Sequence, residues 1–185
     1  MTGIYSLFAD VLDYPRAEVF SQVRELIAQI GASNSEAAEL LEKFESQLNG
    51  MSLGQLQEIY TGAFDMRPDC TTNLGCHLFG EDVRRNIFMA QLKERMESHK
   101  VDTGTELPDH LSLVLRLLDK LTSEEEIQVL IDDCLIPGVS RILSVLNQTG
   151  ARSFYAEAFE ALLISLQRGA SAEAANSGPP QRVAP

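Results

Sequence analysis

The chain has 185 residues, enough for one domain, and 44% of them are hydrophobic, which suffices for a sizeable core. There is no Trp and only 6% aromatics, so Leu, Ile, Val and Ala must fill that core, as where helices pack on helices. A formal net charge of -12 excludes nucleic acid as the expected partner, because phosphate recognition depends on Lys and Arg; it favours a basic one.

Ile4, Leu7, Phe8, Val11 and Leu12 recur at helical spacing and predict a first helix that stops before Pro15. Val19, Phe20, Val23, Leu26, Ile27 and Ile30 give a second, closed by Gly31. Leu40, Leu41, Phe44 and Leu48 define a third, begun by Ser33 to Ser35 and ended by Asn49-Gly50. Ser52 caps a fourth, with Leu53, Leu56, Ile59, Tyr60 and Ala63 on one side. From Phe64 to Asp82 the periodicity fails around Pro68, Gly75 and Gly80, so this stretch reads as a long connection of the kind that is often functional.

Val83, Ile87, Phe88, Leu92 and Met96 restore a helix that fades from Ser98 to Gly104. A further helix starts at Pro108 and buries Leu111, Val114, Leu115, Leu118 and Leu121. Ser123 caps its successor, with Glu124, Glu125 and Glu126 at the favourable N-terminal end. Pro137 restarts the chain into Val139, Ile142, Leu143 and Leu146, and a last helix carries Tyr155, Ala158, Phe159, Leu162 and Leu166 to Gly169. No run alternates as a strand would. The expectation is an all-α, single-domain helical bundle of about eight to nine helices over 1–169, with a disordered tail over 170–185.

No signal peptide and no apolar run of about 20 residues is visible, and three cysteines without an export signal are expected to be reduced thiols, so a cytoplasmic protein without membrane insertion is predicted. Phosphate-binding and nucleophile-elbow motifs are absent from the sequence. Cys70, Cys76, His77, His99 and His110 could ligate a metal, but Cys-x5-Cys-His matches no standard zinc spacing, so no metal and no cofactor is expected. Cys70 with His77 could form a nucleophile pair, given an orienting group that sequence does not display. In Glu106-Leu107-Pro108-Asp109-His110, the proline and the acid suit a helix start, whereas His110 could either pin the loop or bind a ligand.

Tyr60-x3-Phe64-Asp65-x2-Pro68, His77-x2-Gly80 and Glu106-Leu107-Pro108-Asp109-His110-Leu111 together resemble the motifs of NarJ-type assembly chaperones, within the redox enzyme maturation proteins that include the TorD and DmsD types. The resemblance implies a TorD/NarJ-like bundle and a cytoplasmic chaperone, not an enzyme. It would bind the N-terminal segment of a molybdopterin-containing catalytic subunit and assist cofactor insertion, assembly or export. Peptide contacts are then expected at Tyr60, Phe64, Asp65, His77, Glu106, Asp109, His110 and Leu111, with Leu107 and Pro108 as a hinge. Apolar client side chains would enter a groove of Tyr60, Phe64 and Leu111, and client arginines would meet Asp65, Asp109 and Glu106. The run Asp69-Cys70-Thr71-Thr72-Asn73 departs from the Ser-Leu-rich segment of NarJ types, which leaves other reductases and dehydrogenases of the dimethyl sulfoxide reductase class as clients. A monomer is expected, with domain swapping as the alternative assembly. Two competing readings are a stably bound delta-type accessory subunit and a hydrolase acting on guanine nucleotides or through Cys70 and His77.

Overall fold

The computed structural model describes residues 3–148 and 154–176, with 170–176 by backbone alone. It is all-helical among the described residues, and its only extended pairing is the isolated antiparallel bridge Asn73↔His110. The helices are α1 (Ile4–Leu12), α2 (Val19–Ile30), α3 (Ser35–Leu48), α4 (Leu53–Tyr60), α5 (Leu74–Phe79), α6 (Arg84–Ser98), α7 (Leu111–Leu118), α8 (Glu124–Leu130), α9 (Ile136–Asn147) and α10 (Ala156–Asn176). No helix among the described residues is long and apolar enough to cross a membrane.

Side-chain chemistry accounts for several helix starts. Asn34 accepts the Ala37 amide at the start of α3, Ser52 and Gln55 form a reciprocal capping box on α4, and Ser123 accepts the Glu126 amide on α8. Gly3 gives α1 no side-chain cap; instead Asp119, just past α7, accepts the Ser6 amide at 2.6 Å. Arg116 of α7 ties the same pair together through Asp10 at 2.8 Å and Asp13 at 3.6 Å.

The core is continuous. Leu7, Phe8, Val11 and Leu12 of α1 face Val114, Leu115 and Leu118 of α7, and α2 and α3 follow on one side. Helix α10 closes α3 with Phe159, Leu162 and Leu166, and also packs on α9. Where α5 crosses α9, a Cβ on Gly138 would lie 2.6 Å from Leu74 Cδ2, so the glycine is what allows that approach.

Five expectations need correction. The connection after Phe64 is not structureless: a π-helical turn (Thr61–Asp65), a 3-10 turn (Pro68–Cys70) and α5 occupy it. Helix α5 has six residues and contains Gly75, too little for a periodic signal, and tertiary ties hold it. Helix α7 begins at Leu111 rather than Pro108, because Leu107 to His110 form a turn closed by His110 N–H to Leu107 C=O at 2.9 Å. On α6 the inward stripe is Phe88, Leu92 and Met96, while Val83 and Ile87 are exposed, since this helix packs mainly on α5 and α7 and needs a narrow face. Helix α10 passes Gly169 and runs to Asn176, where Ala170, Ala172, Ala174 and Ala175 supply strong helix propensity; the remainder of the expected tail lies outside the described residues. Pro137 does not separate two helices. The segments α8, a π turn (Ile131–Leu135) and α9 are contiguous, and the Ile136 amide bonds five residues back to Ile131, a wider turn that accommodates a ring without an N–H.

Candidate functional site

The segments carrying the motifs meet around α5. Leu74 N–H donates to Asp109 C=O at 2.8 Å and Leu111 N–H to Thr72 C=O at 3.0 Å, which sews residues 72–74 to 109–111. Side chains reinforce the seam. The Asp109 carboxylate, 0% exposed, accepts from Arg85 Nε at 2.8 Å and Asn73 Nδ2 at 3.3 Å. This pairing raises the Arg85 guanidinium above its ordinary value. Gly75 leaves the room: a Cβ there would strike the Asp109 carboxylate and approach Arg85 Cγ to 3.0 Å. Arg85 escaped the sequence reading, since no local spacing links it to an acid 24 residues away.

His110 is buried, with Nε2 2.8 Å from Thr72 Oγ1 and Nδ1 2.8 Å from Ser112 Oγ. A neutral imidazole donates at one nitrogen and accepts at the other, and two rotatable hydroxyls satisfy either arrangement. His77 lies a turn away, where Nε2 donates to the Thr71 carbonyl at 2.6 Å. Both imidazoles therefore fasten the 71–77 segment.

Tyr60 and Leu111 are withdrawn from the surface rather than set along the expected groove, and Phe64 reaches a cleft only by its edge. Tyr60, Phe64 and Leu111 are 3%, 4% and 1% exposed and belong to the core. Tyr60 and Phe64 meet at a tilt of 56° with ring centroids 4.8 Å apart, Phe64 meets Tyr155 at 5.2 Å, and Phe159 completes the cluster at 5.7 Å from Phe64. Burial, and then the charge of Asp13, push the Tyr60 phenol well above its ordinary value, so it stays protonated. Asp109 is likewise not available to a client arginine while Arg85 holds it.

Some predicted residues do share a surface. A cleft of about 340 Å³ is lined by Phe64, Asp65, Arg67, Pro68, Thr71, Thr72, Asn73, Glu106 and His110. Asp65 and Glu106 are exposed, Leu107 is 48% exposed and Pro108 is half-buried. Glu106 also borders a larger, neighbouring cleft of about 520 Å³, between the 100–106 loop, α7 and the link from α1 to α2.

No hydrogen bond joins Cys70 to His77 among the described residues, and burial pushes the Cys70 thiol up to about 11, away from a reactive thiolate. Burial also raises Cys76, and takes Cys134 to about 12. Among the described residues no cluster of three or more His, Cys, Asp or Glu could hold a metal ion.

Residues 28–135, spanning α3 to α8 and the whole seam, match the sequence pattern of the family described as Nitrate reductase delta subunit. The chain belongs to that nitrate reductase delta subunit family. Two relatives, each named as a nitrate reductase molybdenum cofactor assembly chaperone NarJ, come from Escherichia coli strain K12 and from Escherichia coli O157:H7. Each is 31% identical over 157 residues, an alignment covering 83% of this chain and 65% of the relative. This delta-subunit family member thus spans about 65% of the length of the relatives it matches. Within its matched region Asn73, Arg85, Asp109 and His110 carry the hydrogen bonds of the seam, and Asp65 and Glu106 are the motif carboxylates open to solvent.

Proposed function

We propose that this protein is a non-catalytic assembly chaperone for a molybdenum-containing oxidoreductase of the nitrate reductase type. It acts in the cytoplasm, as a monomer whose functional unit is the helical body over 1–169. It holds the N-terminal segment of the catalytic subunit while cofactor is inserted. The observation that carries this reading is that the family match and the 340 Å³ cleft coincide: the cleft lies within residues 28–135 and gathers Phe64, Asp65, Glu106 and His110 from two separated motifs. Its two solvent-open carboxylates, in a chain of net charge -12, suit a basic segment, and fork-shaped guanidinium groups engage carboxylates bidentately. Leu107, exposed beside Glu106, supplies an apolar contact at the rim.

The test is calorimetric titration of the N-terminal peptide of a nitrate reductase-type catalytic subunit from the same organism. Reversing both charges with Asp65→Lys and Glu106→Lys should weaken binding by about tenfold or more at low salt, with a smaller difference at high salt. Unchanged affinity would refute the assignment of these carboxylates. The family's description as a delta subunit favours one second reading, a stably bound accessory subunit. Purification of the mature enzyme separates the two: a chaperone leaves, whereas a subunit stays at one copy per catalytic chain.

A further inference from the structure

The 520 Å³ cleft differs in character from the rest of this acidic molecule. Arg16 from the link between α1 and α2, Lys100 from the loop after α6, and Arg116 and Lys120 from α7 and its end all line it. Three sequence-distant segments therefore deliver cations to one concavity in a chain with 27 acids and 15 bases.

Three of these four cations are outside any ion pair among the described residues. Most arginines of the described structure pair with a carboxylate, including Arg24, Arg67, Arg84, Arg85 and Arg168, and Arg116 is held by Asp10 and Asp13. Arg16, Lys100 and Lys120 have no carboxylate partner among the described residues. Three acids also line the cleft: Asp13, engaged by Arg116; Asp102, which accepts the Gly104 amide at 3.0 Å and keeps its charge; and Glu106 at the border with the smaller cleft. Four cations against three acids leave the concavity one net positive charge in a chain of net charge -12.

The wall between them is a loop with two left-handed residues, Gly104 (φ 53) and Lys100 (φ 56), the latter the only non-glycine residue with positive φ among those described. Lys100 takes this conformation because it ends α6 in a Schellman turn, with Val101 N–H to Met96 C=O at 2.8 Å and Lys100 N–H to Glu97 C=O at 3.2 Å, which fixes where its side chain leaves the helix end. The hydroxyls of Thr103 and Thr105 lie in the same loop, and no aromatic ring among the described residues lines the cleft. The volume falls in the range of small-molecule sites. Charge and hydroxyl donors without a stacking surface select phosphate groups rather than a planar ring.

We propose that the cleft between Arg16, Lys100 and Lys120 is a binding site for a small phosphate-bearing polyanion. The proposal stands apart from the chaperone reading, since it concerns a different wall and needs no client. The phosphate groups could come from an inorganic polyphosphate or from a phosphate ester on a sugar, so pyrophosphate and ribose 5-phosphate are the probes, with sulfate as the non-specific anion at matched ionic strength.

Calorimetry on the full chain should show saturable binding of at least one phosphate probe, about tenfold tighter than sulfate, and the tighter probe names the source. Arg16→Glu with Lys120→Glu should weaken that probe about tenfold, whereas Lys43→Glu with Lys93→Glu, which shifts net charge equally using unpaired lysines of α3 and α6, should change it less than about twofold. Equal losses in the two double variants would reduce the effect to diffuse charge and overturn the site, as would no preference over sulfate. A readout free of variants is the amide spectrum of the wild type. Shifts on probe addition must centre on Thr103 to Thr105, and shifts centred elsewhere would also overturn the proposal.

Discussion

Replacing Arg85 by alanine isolates the energetic role of the seam. Asp109 has no access to water, and among the described residues Arg85 Nε at 2.8 Å is its only cationic partner, with Asn73 Nδ2 at 3.3 Å the remaining side-chain donor. Removing one member of a buried pair strands the other charge and costs about 3–5 kcal/mol. Because the Arg85 side chain is 22% exposed, water can enter the space it vacates, which places the expected loss near the lower bound, about 3 kcal/mol. For a chain of this size that corresponds to a fall in Tm of roughly 6–12 °C. Asp109→Asn keeps the shape and removes the buried charge, while Arg85 can reach solvent, so its cost should be about 1–2 kcal/mol. Arg85→Met combined with Asp109→Leu should recover most of the loss, since well-packed apolar groups commonly replace a buried pair without penalty. Urea unfolding followed by circular dichroism measures all of these. A loss below about 1 kcal/mol for Arg85→Ala, or no coupling in the double variant, would refute the view that this pair holds α5 against the start of α7.

Two further outcomes follow from buried groups. The Tyr155 hydroxyl is buried and has no hydrogen-bond partner among the described residues, so Tyr155→Phe should raise stability by about 1 kcal/mol in the same urea assay; a loss of stability would mean the hydroxyl is satisfied. Burial raises the Cys70 and Cys134 thiols from 9.0 to about 11 and about 12. The folded state therefore keeps protons that the unfolded chain releases, and this contribution is complete below about pH 9 and lost as pH climbs to about 11–12. Replacing both cysteines by alanine should flatten that alkaline decline, and an unchanged slope would assign it to other groups.

Much of the fold was legible because its signals are local. Ser52 with Gln55, Asn34 and Ser123 announce helix starts by chemistry contained within one turn, and the stripes of α1, α2 and α7 are wide enough to survive any packing. What escaped depends on distance in sequence. Helix α5 exists because Leu74 and Asn73 are tied to Asp109 and His110, and nothing within its own six residues says so. The same holds for the site. The motif around Glu106 to His110 was found, but a carboxylate waiting for a partner and one already holding Arg85 are identical in sequence. Only burial separates Asp109 from Glu106, and it moves the expected contacts outward to the acids that water reaches.

The closure of α3 by α10 bears on how the chain is made. Gln47 of α3 and Glu157 of α10 are hydrogen-bonded across 110 residues. At ribosomal rates of about 5–20 residues per second, α3 waits roughly 6–22 s before Phe159, Leu162 and Leu166 arrive to cover it. A ribosome stalled near α9 would thus display a bare apolar face on an otherwise formed helix. This protein, in its own synthesis, passes through the kind of exposed intermediate from which an assembly factor shields its client.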